Sequence, residues 1–163
     1  MDVEIITESA IFKHLEEDEL ECVAEICRVE EFKLSEYIFR EGDAGDRLYV
    51  IADGEVRISR DIPGAGEEAL TVLKPGACFG EMAVLDQSER STDAIANTAC
   101  TLLTITRPDF EMLLDSNREL AYKLLWSVVR LLCERLRITN DNLRYFLVMS
   151  MFGSSAESVG TMD

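Results

Sequence analysis

The sequence predicts a mainly β fold: a jelly-roll β-barrel (double-stranded β-helix) with an N-terminal helix on one side and a long C-terminal dimerisation helix on the other. Two observations carry this expectation. From Glu31 to Thr106 the chain runs in short strand-like stretches separated by glycine turns, and on either side of that region apolar residues recur every three or four positions. At 163 residues with 47% hydrophobic content, it is long enough for one well-buried domain and too short for two. The expected organisation is a lead at 1–10, a domain at 11–147 and a tail at 148–163. Within the domain the barrel takes about 31–106 and the C-terminal helices 108–147.

Taken in order, the first turn signal is Thr7 or Ser9 ahead of Ile11 and Phe12. A helix follows from about Glu17 through Cys27, with Leu20, Val23, Ala24 and Cys27 on one face and Glu16, Glu17, Asp18, Glu21 and Glu25 on the other. Its early acids suit the positive end of the helix. The strand-like runs are Phe32 to Phe39, Arg47 to Ala52, Glu55 to Arg60, Ala69 to Lys74 and Ala99 to Thr106. Between them lie Glu41-Gly42-Asp43, Asp53-Gly54, Pro63-Gly64-Ala65-Gly66 and Lys74-Pro75-Gly76, whose chemistry permits positive φ or fixes a bend. Many short strands with such corners give a barrel or jelly roll. Pro108 opens a short helix to Leu114 with Asp109 and Glu111 in its first turn, and Asn117 can cap a longer one from Arg118 to about Leu147. Glu119, Lys123, Ser127, Arg130, Glu134 and Arg137 form its polar stripe, and the remainder is largely apolar. One barrel cannot cover so wide an apolar surface, so a parallel two-fold homodimer through 118–147 is expected. After Leu147 the period is lost and Ser and Gly accumulate, which reads as a frayed tail.

Charge narrows the partners. With 16 basic against 32 acidic residues the net charge is -16, which repels nucleic acid and anionic membranes. No run reaches the roughly 18 apolar residues that span a bilayer, and the acidic start is unlike a signal peptide, so a cytoplasmic protein is expected. Five scattered cysteines read as reduced core residues; Cys22 and Cys27, five apart, fall on different faces of a helix. His14 is the only histidine, which excludes a histidine-rich metal site of the kind jelly-roll enzymes use, and leaves no catalytic set to assemble. Neither metal nor catalysis is expected.

The stretch Phe79 to Ala96, F-G-E-M-A-V-L-D-Q-S-E-R-S-T-D-A-I-A, holds the candidate site. Free N–H groups at a helix start and the fork of donors on Arg90 suit phosphate oxygens, whereas Glu81 beside an anion is repulsive unless it accepts hydrogen bonds from ligand hydroxyls. Phosphate and sugar together point to a nucleotide. The plainer reading of Arg90 is an ion pair with neighbouring acids.

This stretch resembles the phosphate-binding cassette of the cyclic-nucleotide-binding domain family, which includes bacterial catabolite activators and cAMP-dependent protein kinase regulatory subunits. The family pattern is roughly F-G-E-x-A-L, a few loop residues, then P-R-x-A; Phe79, Gly80, Glu81, Ala83 and Arg90 match it. Glu89 stands where many members have Pro and Thr92 where Ala is usual. E-G-D at 41–43, L-Y-V-I-A-D-G-E-V at 48–56 and L-K-P-G at 73–76 extend the likeness through the barrel.

The resemblance implies a sensor for cAMP, or alternatively cGMP, with a ligand set of Gly80, Glu81, Met82, Ala83, Arg90, Ser91 and Thr92. Arg90, Ser91 and the N–H groups near Ala83 would meet the cyclic phosphate, and Glu81 the ribose 2'-hydroxyl. In the family a Thr and a following polar residue on the long helix contact the base; Thr139 and Asn140 occupy those positions. A polar step that sets the register of a dimer accounts for the same pair. Bacterial members continue past this point into a helix-turn-helix domain; if the 163 residues are the whole protein its output is not DNA binding, and if they are a piece of a longer chain the remainder holds the output. The alternative to a sensor is a ligand-free dimeric scaffold of the same fold that binds a protein partner.

Overall fold

The computed structural model describes residues 3–153, with side chains from 6 to 151. In chain order come α1 (Val3–Glu8), α2 (Glu17–Ile26), β1 (Arg28–Phe32), β2 (Tyr37–Phe39), β3 (Arg47–Asp53), β4 (Val56–Ile62), β5 (Gly66–Leu73), β6 (Cys78–Phe79), α3 (Glu81–Asp86), β7 (Asp93–Ala96), β8 (Cys100–Thr106), α4 (Arg107–Ser116) and α5 (Arg118–Gly153). The strands form two four-stranded antiparallel sheets, ordered β1-β8-β3-β6 and β2-β7-β4-β5. Sequence neighbours β3 and β4 belong to different sheets, so the Asp53-Gly54 turn is a corner between layers rather than a hairpin. Gly54 suits it: its φ is +83°, and a Cβ there would come within 2.4 Å of the Ala99 carbonyl.

The core lies between the two sheets. Tyr49 and Ile51 of β3, Phe79 of β6 and Leu102 of β8 meet Val56 of β4 and Ala94 and Ala96 of β7. The two-residue spacing within 49/51 and 94/96 is the strand period that sends alternate side chains to one face. At the edge of the second sheet, β5 is exposed almost throughout, and Leu70 and Val72 face solvent.

Several expectations need correction. Phe32 to Phe39 is not one strand: the chain turns at 33–36, with Ser35 at φ 67°, and resumes as β2 in the other sheet. The break was concealed because a serine, not a glycine, takes the left-handed conformation, held by bonds from Ser35 N–H to the Ala96 carbonyl and from Lys33 N–H to Glu36. The lead expected at 1–10 holds α1, and Asp93–Ala96 is a fourth strand of the second sheet. Helix α5 passes the expected end at Leu147 and reaches Gly153; the rest of the expected tail, 154–163, lies outside the described residues. Cys22 and Cys133 are exposed rather than core, and Cys27, Cys78 and Cys100 are buried.

The caps follow the sequence. Thr106 Oγ1 accepts from Asp109 N–H at the start of α4, and Asn117 Oδ1 accepts from Glu119 N–H at 2.9 Å and Leu120 N–H at 3.2 Å. Two positions assigned to the polar stripe of α5 are otherwise engaged. Ser127 is buried, and Lys123 donates to both oxygens of Glu19 on α2, at 3.0 and 2.9 Å. Glu19 Oε2 also accepts from Glu16 N–H at 2.8 Å, closing the helix start. The chain divides into two compact units, Met1–Ser127 and Val128–Asp163. In the second, Leu136, Ile138 and Leu143 are exposed.

Candidate functional site

Helix α3 begins after Gly80, which sits at φ 76°, ψ 5°, so the chain leaves β6 and turns into the helix within one residue. That left-handed step also leaves room for Arg90: a Cβ on Gly80 would lie 2.7 Å from Arg90 Nη1. Glu81, the first helical residue, is 1% exposed, Ala83 is buried, and Met82 points outward at 49% exposure. Past the helix, Gln87 takes φ 58° and turns the chain towards the 41–44 loop. There Arg90 N–H donates to the Asp43 carbonyl at 2.8 Å and Gly42 N–H to the Arg90 carbonyl at 2.9 Å, which fixes the backbone from which the guanidinium projects.

Arg90 itself is 4% exposed. Nη1 donates to the Gly80 carbonyl at 2.9 Å and Nη2 to the Arg47 carbonyl at 2.7 Å. The plane stacks 4.2 Å from the Phe39 ring centroid, with the Tyr49 ring at 5.7 Å. Phe39, Tyr49 and Phe79 form one aromatic cluster, Tyr49 and Phe79 stacking at 5.0 Å. The ion pair with neighbouring acids is therefore not the arrangement present: the hydrogen-bond partners are main-chain carbonyls, and Asp46 and Asp43 act on the cation only through space. Burial is the dominant influence and pushes the Arg90 pKa down, the penalty expected of a cation removed from water. Burial likewise pushes the Tyr49 hydroxyl up to about 12. Arg90 Nε–H is buried and meets no acceptor among the described residues. The cluster can orient a guanidinium rigidly while leaving its charge without a bonded carboxylate among the described residues, which is the condition an incoming anion satisfies.

Of the residues singled out in the sequence, Gly80, Glu81, Ala83 and Arg90 are buried or half-buried around the α3 turn. Ser91 is exposed and Thr92 half-buried on the approach to β7, and Met82 faces solvent. Thr139 and Asn140 lie on α5 within the second unit, both exposed. Sequence reading missed Phe39, Tyr49 and Arg47, which support Arg90 from positions 41 to 51 residues away; nothing local marks them. A cavity of about 810 Å³ opens beside the β1–β2 turn, with Leu34, Glu36 and Asp53 in its lining, and one of about 210 Å³ lies between 44–46 and 87–89. Neither is lined by Arg90 or Glu81. Among the described residues no group of three or more His, Cys, Asp or Glu could hold a metal ion, and no helix is long and apolar enough to cross a membrane.

A two-sheet barrel with a glycine-initiated helix and a buried arginine defines a class of small-ligand regulatory domain. Residues 29–117 match the model of the cyclic nucleotide-binding domain. The CRP-like cAMP-activated global transcriptional regulator of Mycobacterium tuberculosis is 30% identical over 156 residues, which is 96% of this chain and 68% of that protein. The crystal structure of the Thermus thermophilus catabolite activator protein superposes with a TM-score of 0.75 at 32% identity, covering 85% of this chain and 63% of that one. The regulatory domain of Toxoplasma gondii PKA, crystallised with cAMP, gives 0.63 at 31% identity over 68% of this chain and 42% of that one. The chain belongs to the cyclic nucleotide-binding domain family, the domain shared by CRP-like regulators and PKA regulatory subunits.

Proposed function

We propose that this chain is a regulatory sensor module that binds cAMP in preference to cGMP and transmits occupancy through its C-terminal helix. The observation that carries the reading is Arg90, a buried guanidinium oriented by two carbonyls and an aromatic face but bonded to no acid in that set. Arg90, Ser91 and the N–H groups near Ala83 hold the cyclic phosphate, with Gly80, Met82 and Thr92 bordering it. Glu81 takes the ribose hydroxyl, and Thr139 with Asn140 the base. The names of the relatives support cAMP, one being cAMP-activated and another crystallised with it. A ligand shifts a two-state equilibrium only through contacts that differ between the states, and the exposed Val129, Leu136 and Leu143, each seven residues from the next on α5 and so on one face, supply a homodimer surface for such a shift. The net charge of -16 argues against direct nucleic-acid contact by these 163 residues.

Calorimetry with both nucleotides tests the reading. Arg90→Ala is expected to weaken cAMP binding by at least about 1.5 kcal/mol, roughly tenfold, the worth of a charge-assisted bond to phosphate. Equal affinity in the variant, or no heat up to millimolar concentrations of either nucleotide, overturns it. The second reading, a ligand-free dimeric scaffold for a protein partner, is favoured by one observation: two of the Arg90 donors are already satisfied by the chain's own carbonyls. An unchanged Tm with either nucleotide, together with a stable dimer in ultracentrifugation, supports that alternative.

A further inference from the structure

The acids of the barrel fall into two groups. Glu30, Glu41 and Glu67 are each met by an arginine, Arg47, Arg60 and Arg57, at 2.8, 2.7 and 2.8 Å. Glu31, Glu36 and Asp53 have no ion-pair partner among the described residues, and all three line the cavity of about 810 Å³ beside the β1–β2 turn. Among the described residues that line it, Lys33 is the one base. Three stretches of chain meet there: the β1–β2 turn, the corner at Asp53, and Ala99 ahead of β8. Their arrangement is fixed by the fold. Ser35 N–H donates to the Ala96 carbonyl at 2.8 Å and Ala96 N–H to the Glu36 carbonyl at 2.9 Å. Lys33 N–H holds Glu36 Oε2 at 2.8 Å, and Asp53 pairs with Thr101 across the sheet. The carboxylates therefore converge before any ligand arrives, which lowers the cost of binding one.

The floor of the cavity is of a different character. Phe32 packs against the core between the sheets, and Cys100 belongs to that core. Cys100 is 4% exposed, and its sulfur meets no hydrogen-bond partner among the described residues. A thiol sulfur is a polarizable, weak acceptor for an N–H. Burial raises the Cys100 pKa first, and the charges of Asp53 and Glu36 raise it further, so the field of both carboxylates reaches the floor.

We propose that this end of the barrel is a second binding site, for a small organic cation: an alkyl or aryl ammonium whose stem lies on Phe32 and Cys100 and whose head is shared by Glu31, Glu36 and Asp53. The volume falls in the range of about 300–1,000 Å³ usual for small-molecule cavities, and the mouth of a β-barrel is a common place for one. A cation is also enriched around a chain of net charge -16. A phosphate is repelled by the same three acids, so the cavity is no second nucleotide site. No residue of the 79–96 cassette lines it, and the proposal stands apart from the nucleotide reading.

Titration of the full chain with octamethylenediamine, followed by amide NMR shifts and calorimetry, tests the site. Saturating shifts are expected at Leu34, Ser35, Glu36, Asp53 and Thr101, with none in 79–96 and none on adding the neutral octanediol of equal length. Glu36→Gln keeps an acceptor for Lys33 N–H; it and Asp53→Asn should each weaken the diamine about threefold, and together about tenfold. Unchanged affinity in the double variant, no saturable heat at millimolar diamine, or shifts that scatter over other acids such as Glu17 and Glu25 would make the three carboxylates a solvated surface and overturn the site. Should Asp53→Asn fail to fold, Glu31→Gln takes its place against the same criteria. Equal binding of the diol overturns the assignment to a cation. An oligolysine peptide that shifts the same amides at a tenth of the diamine concentration overturns the small ligand in favour of a protein partner. A failure of cAMP to bind counts against the sensor reading alone.

Discussion

In the first unit Ile51, Leu102 and Ile105 are sealed among strands, whereas in the second Leu136, Ile138 and Leu143 stand more than half exposed. The side chains are chemically alike, and burying one fully is worth about 1.5–3 kcal/mol in either place. The barrel has already realised that stabilisation internally. The exposed Leu136, Ile138 and Leu143 have not, and gain it only against another surface. The contrast teaches that the apolar content of this chain serves two ends: one part fixes the fold that presents Arg90, and the other is available for association.

The largest expected effect comes from opening the sealed side. Leu102→Ala should destabilise the protein by about 2–5 kcal/mol in urea unfolding; a loss under about 1 kcal/mol would mean that the sheets do not rely on this core. Next comes Gly54→Ala, which meets the Ala99 carbonyl and must adopt positive φ. It should cost about 1–3 kcal/mol by the same measurement. On the exposed side the expectation inverts. Leu136→Asp should leave unfolding within about 0.5 kcal/mol at low protein concentration, while sedimentation shows loss of the proposed homodimer. A large fall in the stability of the monomer would show that the helix serves the fold after all.

The smallest effect appears only in acid. Burial raises the pKa of Glu19, but the Lys123 ammonium and the Glu16 N–H outweigh it and hold the carboxyl below its usual value of 4.5. Glu16 Oε1 and Glu119 Oε1 also face Lys123, at 3.9 and 3.7 Å. A depressed folded pKa means the contribution of Glu19 is present above about pH 4.5 and is lost as the pH falls through the lower folded value. The Tm gap between wild type and Glu19→Gln should therefore be constant near neutrality and close in acid. A gap that persists after Glu19 is protonated would assign the effect to packing.

The barrel was legible because its corners are written in glycine and its strands alternate over two residues. Where the chain turns without glycine, at Ser35, the reading ran two strands together. Strand β7 was hidden because its four residues follow directly on the cassette motif. For the site, F-G-E and Arg90 were visible as a local pattern, but the Phe39 face and the Arg47 carbonyl were not. They converge from separate strands, and a linear pattern carries no record of which distant carbonyl a side chain meets. The polar stripe misled at Lys123 for the same reason, since its partner Glu19 lies 104 residues away.

The division of the five thiols has a practical consequence. Cys22 and Cys133 are open to solvent, while Cys27, Cys78 and Cys100 are enclosed, and burial pushes the Cys27 thiol up to about 12, where it is inert at neutral pH. A maleimide dye should therefore modify two sulfurs, one on α2 and one on α5, without any engineered cysteine. The native chain thus carries its own pair of attachment points for a spectroscopic ruler, ready to report whether the long helix shifts when a nucleotide is added.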